Sequence, residues 1–403
     1  MDYISLSKLA YGDRTSYEQT YQERFNSPYA HHLDICIGDW PAFFVTTPEI
    51  FQFMLSIHKT DKQIRDLYQI LPMVAIKQFS RRCLIDEIVL TNGIEGVHST
   101  RREIDGVLAE LGKNHRAKRF DGLIQKYVML QKGEDIPLVT CWDLRKVYDD
   151  LTLREVVADD PKNMPDGRVF RKGPVDVTTP TQKVIHRGLY PEEKIIDTMS
   201  KALDYLGDSS VDLLYRICVF HYLLGYIHPF YDGNGRLNRF ISSYMLGKEL
   251  HPILGYRLSY TIKENIGEYY KAFKVCNQPK NRGDLTPFVE MFLKIIEEST
   301  QQLLKALMGR LNALDYYGKI VESLPGGTKK SYYTLYFVLI QAELFSEKGI
   351  STKELLDVIK VSSATLRKQL QEIEATGLLK RSSHGHAKYY SLDLDKADQY
   401  QNR

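Results

Sequence analysis

The chain has little that would cross-link it or anchor it in a bilayer. Its five cysteines, Cys36, Cys83, Cys141, Cys218 and Cys276, are scattered, without the paired spacing of a metal site or the rhythm of a disulfide framework. They read as small core residues in a reducing compartment, where structural disulfides are rare. Every long apolar stretch is interrupted by His, Lys, Glu or Gly, so none has the length of a transmembrane helix. Met1-Asp2-Tyr3-Ile4-Ser5 lacks a basic segment followed by an apolar run. No signal peptide is expected, the expected location is cytoplasmic, and no membrane partner is expected. Neither sign of charge is in excess: 54 Lys and Arg against 51 Asp and Glu leave a net +3. Whole-chain charge therefore gives no reason to expect nucleic acid as a partner.

What is present is an ordinary globular mixture, 43% apolar and 26% charged over 403 residues, enough for two or three domains. The 27 tyrosines suit either a partner surface or a core with its polar ends outward. The most informative stretch is His228-Pro229-Phe230-Tyr231-Asp232-Gly233-Asn234-Gly235-Arg236-Leu237-Asn238-Arg239. Apolar helical patterns flank it, Val211 to Ile227 before and Phe240 to Leu246 after. The pattern predicts a helix ending near His228, a turn through Gly-Asn-Gly and a second helix from about Arg236. The glycines relax the turn, and its N–H groups can form a nest for phosphate oxygens at the second helix's start. His228 is a neutral base near pH 7. Asp232 is a hard oxygen ligand suited to Mg²⁺ carrying phosphates. Arg236 and Arg239, three apart, share a helix face and can hold a polyphosphate.

This stretch resembles the signature of the Fic family, His-Pro-Phe-x-Asp/Glu-Gly-Asn-Gly-Arg-x-x-Arg, with every fixed position met. The resemblance covers roughly residues 50 to 300. It implies a mainly α chain: a Fic helical fold with a short β-hairpin flap. It also implies an enzyme that takes ATP and Mg²⁺ and moves AMP onto a Ser, Thr or Tyr hydroxyl of a target protein. In that reading His228 deprotonates the hydroxyl and Asp232 holds the metal. Phe230, Gly233, Asn234, Gly235, Arg236 and Arg239 belong to the nucleotide site, with Gly233 to Gly235 as the anion hole and the two arginines orienting the phosphates. Thr91-Asn92-Gly93-Ile94-Glu95-Gly96 resembles the family's inhibitory signature, Ser/Thr-x-x-x-Glu-Gly/Asn. By that resemblance Glu95 pairs with Arg239 and blocks a productive pose of ATP; once AMP is on a target, the same carboxylate can position water for its removal. Tyr270 and Asn277 have the spacing at which relatives approach the adenine. The resemblance leaves a homodimer open.

The chain in order reads as follows. Residues 1–50, broken by Pro28, Gly38, Pro41 and Pro48, are expected to be irregular. Helical stretches are expected from Pro48, over Asp61–Leu71, and over Val74–Leu90; the expected N-terminal region with the inhibitory motif is 1–96. The catalytic core is expected over 97–310, with helices at Ile104–Leu111, Phe120–Leu130, Trp142–Tyr148, Pro191–Tyr205 and Ile262–Val275. Asp208 and Ser210 are candidate caps of the helix before His228, and His221 reads as a packed histidine. Gly167–Gly188 is strand-like in pieces. The resemblance puts the flap there, with Thr178, Thr179, Thr181, Val184 and Ile185 as candidate walls for a target strand.

After Pro325-Gly326-Gly327 a separate unit, 328–403, resembles a winged helix-turn-helix. Helices are expected at Tyr332–Glu343, from Ser351 with a capping box to Glu354, and at Ala364–Glu374, followed by a hairpin. Arg367, Lys368, Lys380, Arg381, His384, His386 and Lys388 give it a basic side for DNA phosphates, although winged helices also dock proteins. This opens a second functional class: a nucleotide-sensing transcriptional regulator or toxin-module partner. Labelled AMP on protein, lost in His228→Ala, separates the two classes.

Overall fold

The computed structural model describes residues 3–12, 14–111, 118–178, 184–384 and 387–401. It is mainly helical, with antiparallel sheets of two, two and three strands among the described residues. Two compact units are formed, Met1–Asp61 with Ile85–Gln301, and Lys62–Leu84 with Gln302–Arg403.

In the first unit, residues 1–50 are more regular than expected. Helices Leu6–Leu9 and Arg14–Phe25 precede a hairpin of Ala30–Ile37 and Trp40–Val45. Leu33, Ile35 and Ile37 are buried while Asp34 and Cys36 are exposed, the period-two alternation of a half-buried strand. Gly38, at φ +60°, takes the left-handed turn between Ile37 and Trp40 that glycine adopts without penalty. The prolines read as breakers lie before the hairpin, beside its turn and after it. Phe43 packs with Leu6 and Tyr21. Its backbone bonds to Gly283 and Leu285 (3.0 and 2.7 Å), tying the hairpin to the start of the Thr286–Ile320 helix.

The helix from Pro48 runs to Ile70 without a break, because nothing between Ile57 and Asp61 interrupts it. The next, Met73–Ile94, extends past the expected Leu90, so Thr91 lies on regular helix. The Leu213–Ile227 helix is buried on almost every side, as expected for a helix apolar all round. Its cap is Asp212, which accepts from Leu214 N at 2.8 Å. Asp208, expected as a cap, instead accepts from Ser210 N at 2.9 Å in the preceding turn.

Among the described residues between 167 and 188, only Asp176–Thr178 and Val184–Arg187 are strands, pairing Asp176 with Arg187 and Val177 with His186. Thr179 and Thr181 lie outside the described residues; Val184 is exposed. Val169 and Phe170 form no strand because their N–H groups go elsewhere. The carboxylate of Glu192, at the start of the Glu192–Gly207 helix, accepts from the N–H groups of Arg168, Val169 and Phe170 at 2.9, 2.7 and 2.9 Å. Gly167 leaves room for it: a Cβ there would come within 2.5 Å of that carboxylate.

In the second unit Lys330–Phe345, Thr352–Ile359 and Ser363–Ala375 are helices. The strands Ile350–Ser351, Ala387–Leu392 and Leu379–His384 form one sheet, with Ala387–Leu392 in the centre. The Ser351–Glu354 capping box is formed. The core holds Leu335, Leu339, Leu355, Leu366, Leu370 and Leu392, and Phe79 meets Phe345 edge to face at 6.2 Å.

Burial pushes the Glu192 carboxyl up, but its three backbone hydrogen bonds outweigh this and hold it below the usual carboxylate range. Its contribution is therefore full above the unfolded pKa and is lost as pH falls through the folded value. Glu192→Ala should cost on the order of 3 kcal/mol at neutral pH. Urea unfolding should show the gap from wild type narrowing toward acid; a gap independent of pH would contradict this.

Candidate active site

His228 ends the Leu213–Ile227 helix in a left-handed conformation (φ 54°, ψ 63°). A residue other than glycine is held there at a cost of about 1–3 kcal/mol, which persists only where the surroundings over-determine it. Arg171 supplies much of that constraint. Its side chain is fully buried and donates to the carbonyls of His228 (2.9 Å), Leu189 (2.8 Å), Gly173 (2.5 Å) and Ile227 (3.4 Å). A Cβ at Gly188 would come within 2.5 Å of Arg171 Nη2 and 3.0 Å of His228 Cβ, so the chain passes close by. Burial, then the charge of Arg171, pushes the His228 imidazole down to about 4. It is a neutral ring across the neutral range.

The second helix starts at Asn234, two residues before the expected Arg236, with Gly233 at φ +79° as its cap. The Asn234 side chain faces inward: Oδ1 accepts from Phe230 N at 3.0 Å and Nδ2 donates to Phe230 O at 2.8 Å. It braces the loop from within. Phe230 does not line the cavity, contrary to the expectation that it belongs to the nucleotide site. Its ring is fully buried, stacked on Tyr148 at 3.6 Å and edge-on to Phe170, because the turn needs an apolar anchor beneath it. Gly233 is likewise not among the lining residues; a Cβ on it would come within 3.1–3.2 Å of Thr152, Tyr148 and Val156.

The other expected residues converge. A cavity of about 450 Å³ is lined by His228, Asp232, Asn234, Gly235, Arg239, Tyr270, Asn277 and Glu95, within the size range of small-molecule sites. Arg236 lines a neighbouring cavity that shares Glu95 and Asp232 with the first. Glu95 Oε1 lies 2.7 Å from Arg239 Nη2, which also donates to the Thr91 carbonyl at 3.1 Å; Arg239 Nε donates to Thr91 Oγ1 at 2.8 Å. A Cβ on Gly235 would overlap Glu95 Oε1, so the carboxylate lies on the turn itself. Burial raises the Glu95 carboxyl, yet Arg239, then Arg236 and His228, bring it below the usual range.

Glu87, two turns before Glu95, escaped the sequence reading. It is fully buried and accepts from Ser259 N (3.0 Å), Ser259 Oγ (2.6 Å) and Tyr127 OH (3.3 Å). The polar series Glu87, Thr91, Glu95 at four-residue spacing was the available signal. Arg171 had no comparable signal, since its partners lie up to 57 positions away. His221 is a packed histidine, bonded to Ser242 Oγ (2.8 Å) and Tyr269 OH (2.7 Å).

No group of three or more His, Cys, Asp or Glu able to hold a metal occurs among the described residues. Asp232 is 42% exposed, with Oδ1 accepting from Gly233 N at 2.6 Å and Oδ2 3.8 Å from Arg236. One accessible carboxylate fits Mg²⁺ that keeps waters and takes its remaining oxygens from phosphates. It does not fit an ion caged by protein alone.

The profile of the Fic/DOC family matches residues 140–246, the segment that carries this turn. The chain carries a Fic domain. A second profile, of a DeoR-like helix-turn-helix domain, matches residues 339–391. Similar curated proteins include protein adenylyltransferase fic-1 of Caenorhabditis briggsae, 31% identical over 118 residues, 28% of this chain and 22% of that protein. Protein adenylyltransferase Fic of Drosophila grimshawi is 34% identical over 79 residues, 20% of this chain and 14% of that protein. The match spans about a fifth or less of the length of these relatives. A crystal structure of a Fic family protein from Desulfovibrio desulfuricans G20 superposes with a TM-score of 0.53 at 20% identity, covering 87% of this chain and 97% of that one. It shows a shared fold.

No helix among the described residues is long and apolar enough to cross a membrane. In the helix-turn-helix unit, Lys380 is paired with Glu343 (2.7 Å) and Arg381 with Glu374 (2.9 Å), while Arg367 and Lys388 are exposed. His386 lies outside the described residues.

Proposed function

We propose that the chain is a protein adenylyltransferase that moves AMP from ATP to a hydroxyl side chain of a target protein. The observation carrying this reading is the convergence of His228, the Asn234–Gly235 turn and Arg239 on one cavity. His228, unprotonated at neutral pH, takes the proton of the target hydroxyl. That oxygen forms a bond to the α-phosphorus as the bond between the α-phosphorus and its bridging oxygen breaks, and pyrophosphate leaves. The amides of the turn face the phosphate oxygens where negative charge grows. Arg236 and Arg239 orient the outer phosphates, and Tyr270 and Asn277 receive the adenine. Mg²⁺ bound at Asp232 supplies a hard cation for phosphate charge.

Glu95 acts as an inhibitor in this reading, because its carboxylate lies on Gly235 and holds Arg239, where an outer phosphate would sit. The same carboxylate is placed to orient water for AMP removal. The flap strands Asp176–Thr178 and Val184–Arg187 receive the target as an added strand.

Glu95→Gly should raise transfer of labelled AMP to protein at least tenfold, on the order of 1.4 kcal/mol, and His228→Ala in that background should abolish it. Transfer should not fall as pH drops through about 6.5, the ordinary imidazole value. Losing Glu95 removes a charge that raises the His228 pKa, so the base form persists further into acid. Unchanged transfer in Glu95→Gly under saturating ATP-Mg²⁺ would refute the inhibitory role.

The helix-turn-helix unit supports a second reading, DNA binding through the Ser363–Ala375 helix. Exposed ion pairs such as Lys380–Glu343 are weak and can exchange for phosphates. In a gel shift with the full chain, binding should weaken steeply with salt, and Arg367→Ala should weaken it further. Absence of salt-sensitive binding would leave a protein-docking role for this unit.

A further inference from the structure

The cavity wall holds one buried polar atom that the chain itself does not satisfy. Asn238 precedes Arg239 on the Asn234–Glu249 helix, is 2% exposed and lines the cavity. Its Nδ2 donates to the His221 carbonyl at 2.7 Å. A carbonyl oxygen can only accept, so the orientation of this amide is settled. Its other arm, Oδ1, is buried and has no hydrogen-bond partner among the described residues. Buried acceptors are seldom left unmatched, and one on a cavity wall has the cavity's occupant as its natural donor.

The occupant's chemistry is restricted by what else faces the same space. Phosphate oxygens of a bound nucleotide are acceptors, so Oδ1 cannot serve them; the turn amides and Arg239 can. Asn277 has the opposite polarity to Asn238. Its Oδ1 accepts from Tyr222 OH at 2.6 Å, which leaves its Nδ2 as the donor available to the cavity. Tyr270 and Phe273 add aromatic surface between polar groups. The wall thus offers one donor, one acceptor and aromatic faces, complementary to a nucleoside that has both an accepting nitrogen and a donating group.

We propose that Asn238 Oδ1 accepts a hydrogen bond from the nucleoside half of the bound nucleotide, a ribose hydroxyl or the exocyclic amine of the base, and so sets which nucleoside the site takes. This rests on the nucleotide-binding reading above. Asn238 is then a specificity residue adjoining the phosphate machinery without touching the phosphates.

The test is calorimetric titration of the full chain with ATP, 2′-deoxyATP, 3′-deoxyATP and purine riboside triphosphate, which lacks the amine. Wild type should bind the analogue missing the relevant donor about tenfold more weakly than ATP. The affected analogue distinguishes sugar from base. Asn238→Leu, similar in size and without the acceptor, should bind ATP and that analogue alike. A merely structural role would weaken all four ligands in parallel. Equal wild-type affinity for all four, or a preference that survives in Asn238→Leu, would overturn the inference while nucleotide binding itself stands. If Asn238→Leu does not fold, the wild-type series alone decides. Binding of none of the four, by wild type and by Glu95→Gly alike, would instead overturn the nucleotide reading, and this inference with it.

Discussion

The site is built around a guanidinium that has been taken out of water. Arg239 is 2% exposed, and a buried charge is tolerated only where partners replace its hydration. Thr91, on the Met73–Ile94 helix, and Glu95, just past its end, are those partners. The same requirement makes Arg239 a receptor for any other anion that reaches it. In the proposed reading a carboxylate and a phosphate compete for this one cation, and the carboxylate already lies over Gly235. Thr91 keeps two hydrogen bonds to Arg239 independently of Glu95, so the arginine stays oriented when its charged partner is removed.

The imidazole and the turn owe their placement to polar groups of another kind. Arg171 gathers carbonyls around the end of the Leu213–Ile227 helix, and Glu192 gathers amides beside it. Both are charged side chains used as backbone clamps in segments where no regular ladder forms. Phe230 and Asn234 do the corresponding work under the turn, one by ring packing against Tyr148 and the other by a two-way bond to the Phe230 backbone. Two members of the signature are thus scaffolding for the rest.

This division explains what could be read from the sequence. His228, Asp232, Gly235 and Arg239 lie within twelve positions, so their convergence was legible as a motif. Glu95 was legible only through its resemblance to an inhibitory signature, its partner lying 144 positions on. The burial of Phe230 on Tyr148 could not be read there, because a motif shows which residues recur and not which way each faces. Arg171, Glu192 and Asn238 act through contacts that no local pattern encodes. The N-terminal hairpin is masked in the sequence for a different reason: three prolines and a glycine interrupt the region around the alternation of Leu33, Ile35 and Ile37. The helical unit order after residue 328 was legible because caps and apolar periodicity are local.

The most direct measurement is a crystal structure of the Glu95→Gly chain with a non-hydrolysable ATP analogue and Mg²⁺. The outer phosphates should occupy the space now taken by the Glu95 carboxylate, with oxygens against the Gly235 amide and the Arg239 guanidinium, and the α-phosphate should be within reach of His228. Phosphates bound elsewhere, with Arg239 bonded to Thr91 alone and that space left to solvent, would contradict competition between carboxylate and phosphate for one buried cation.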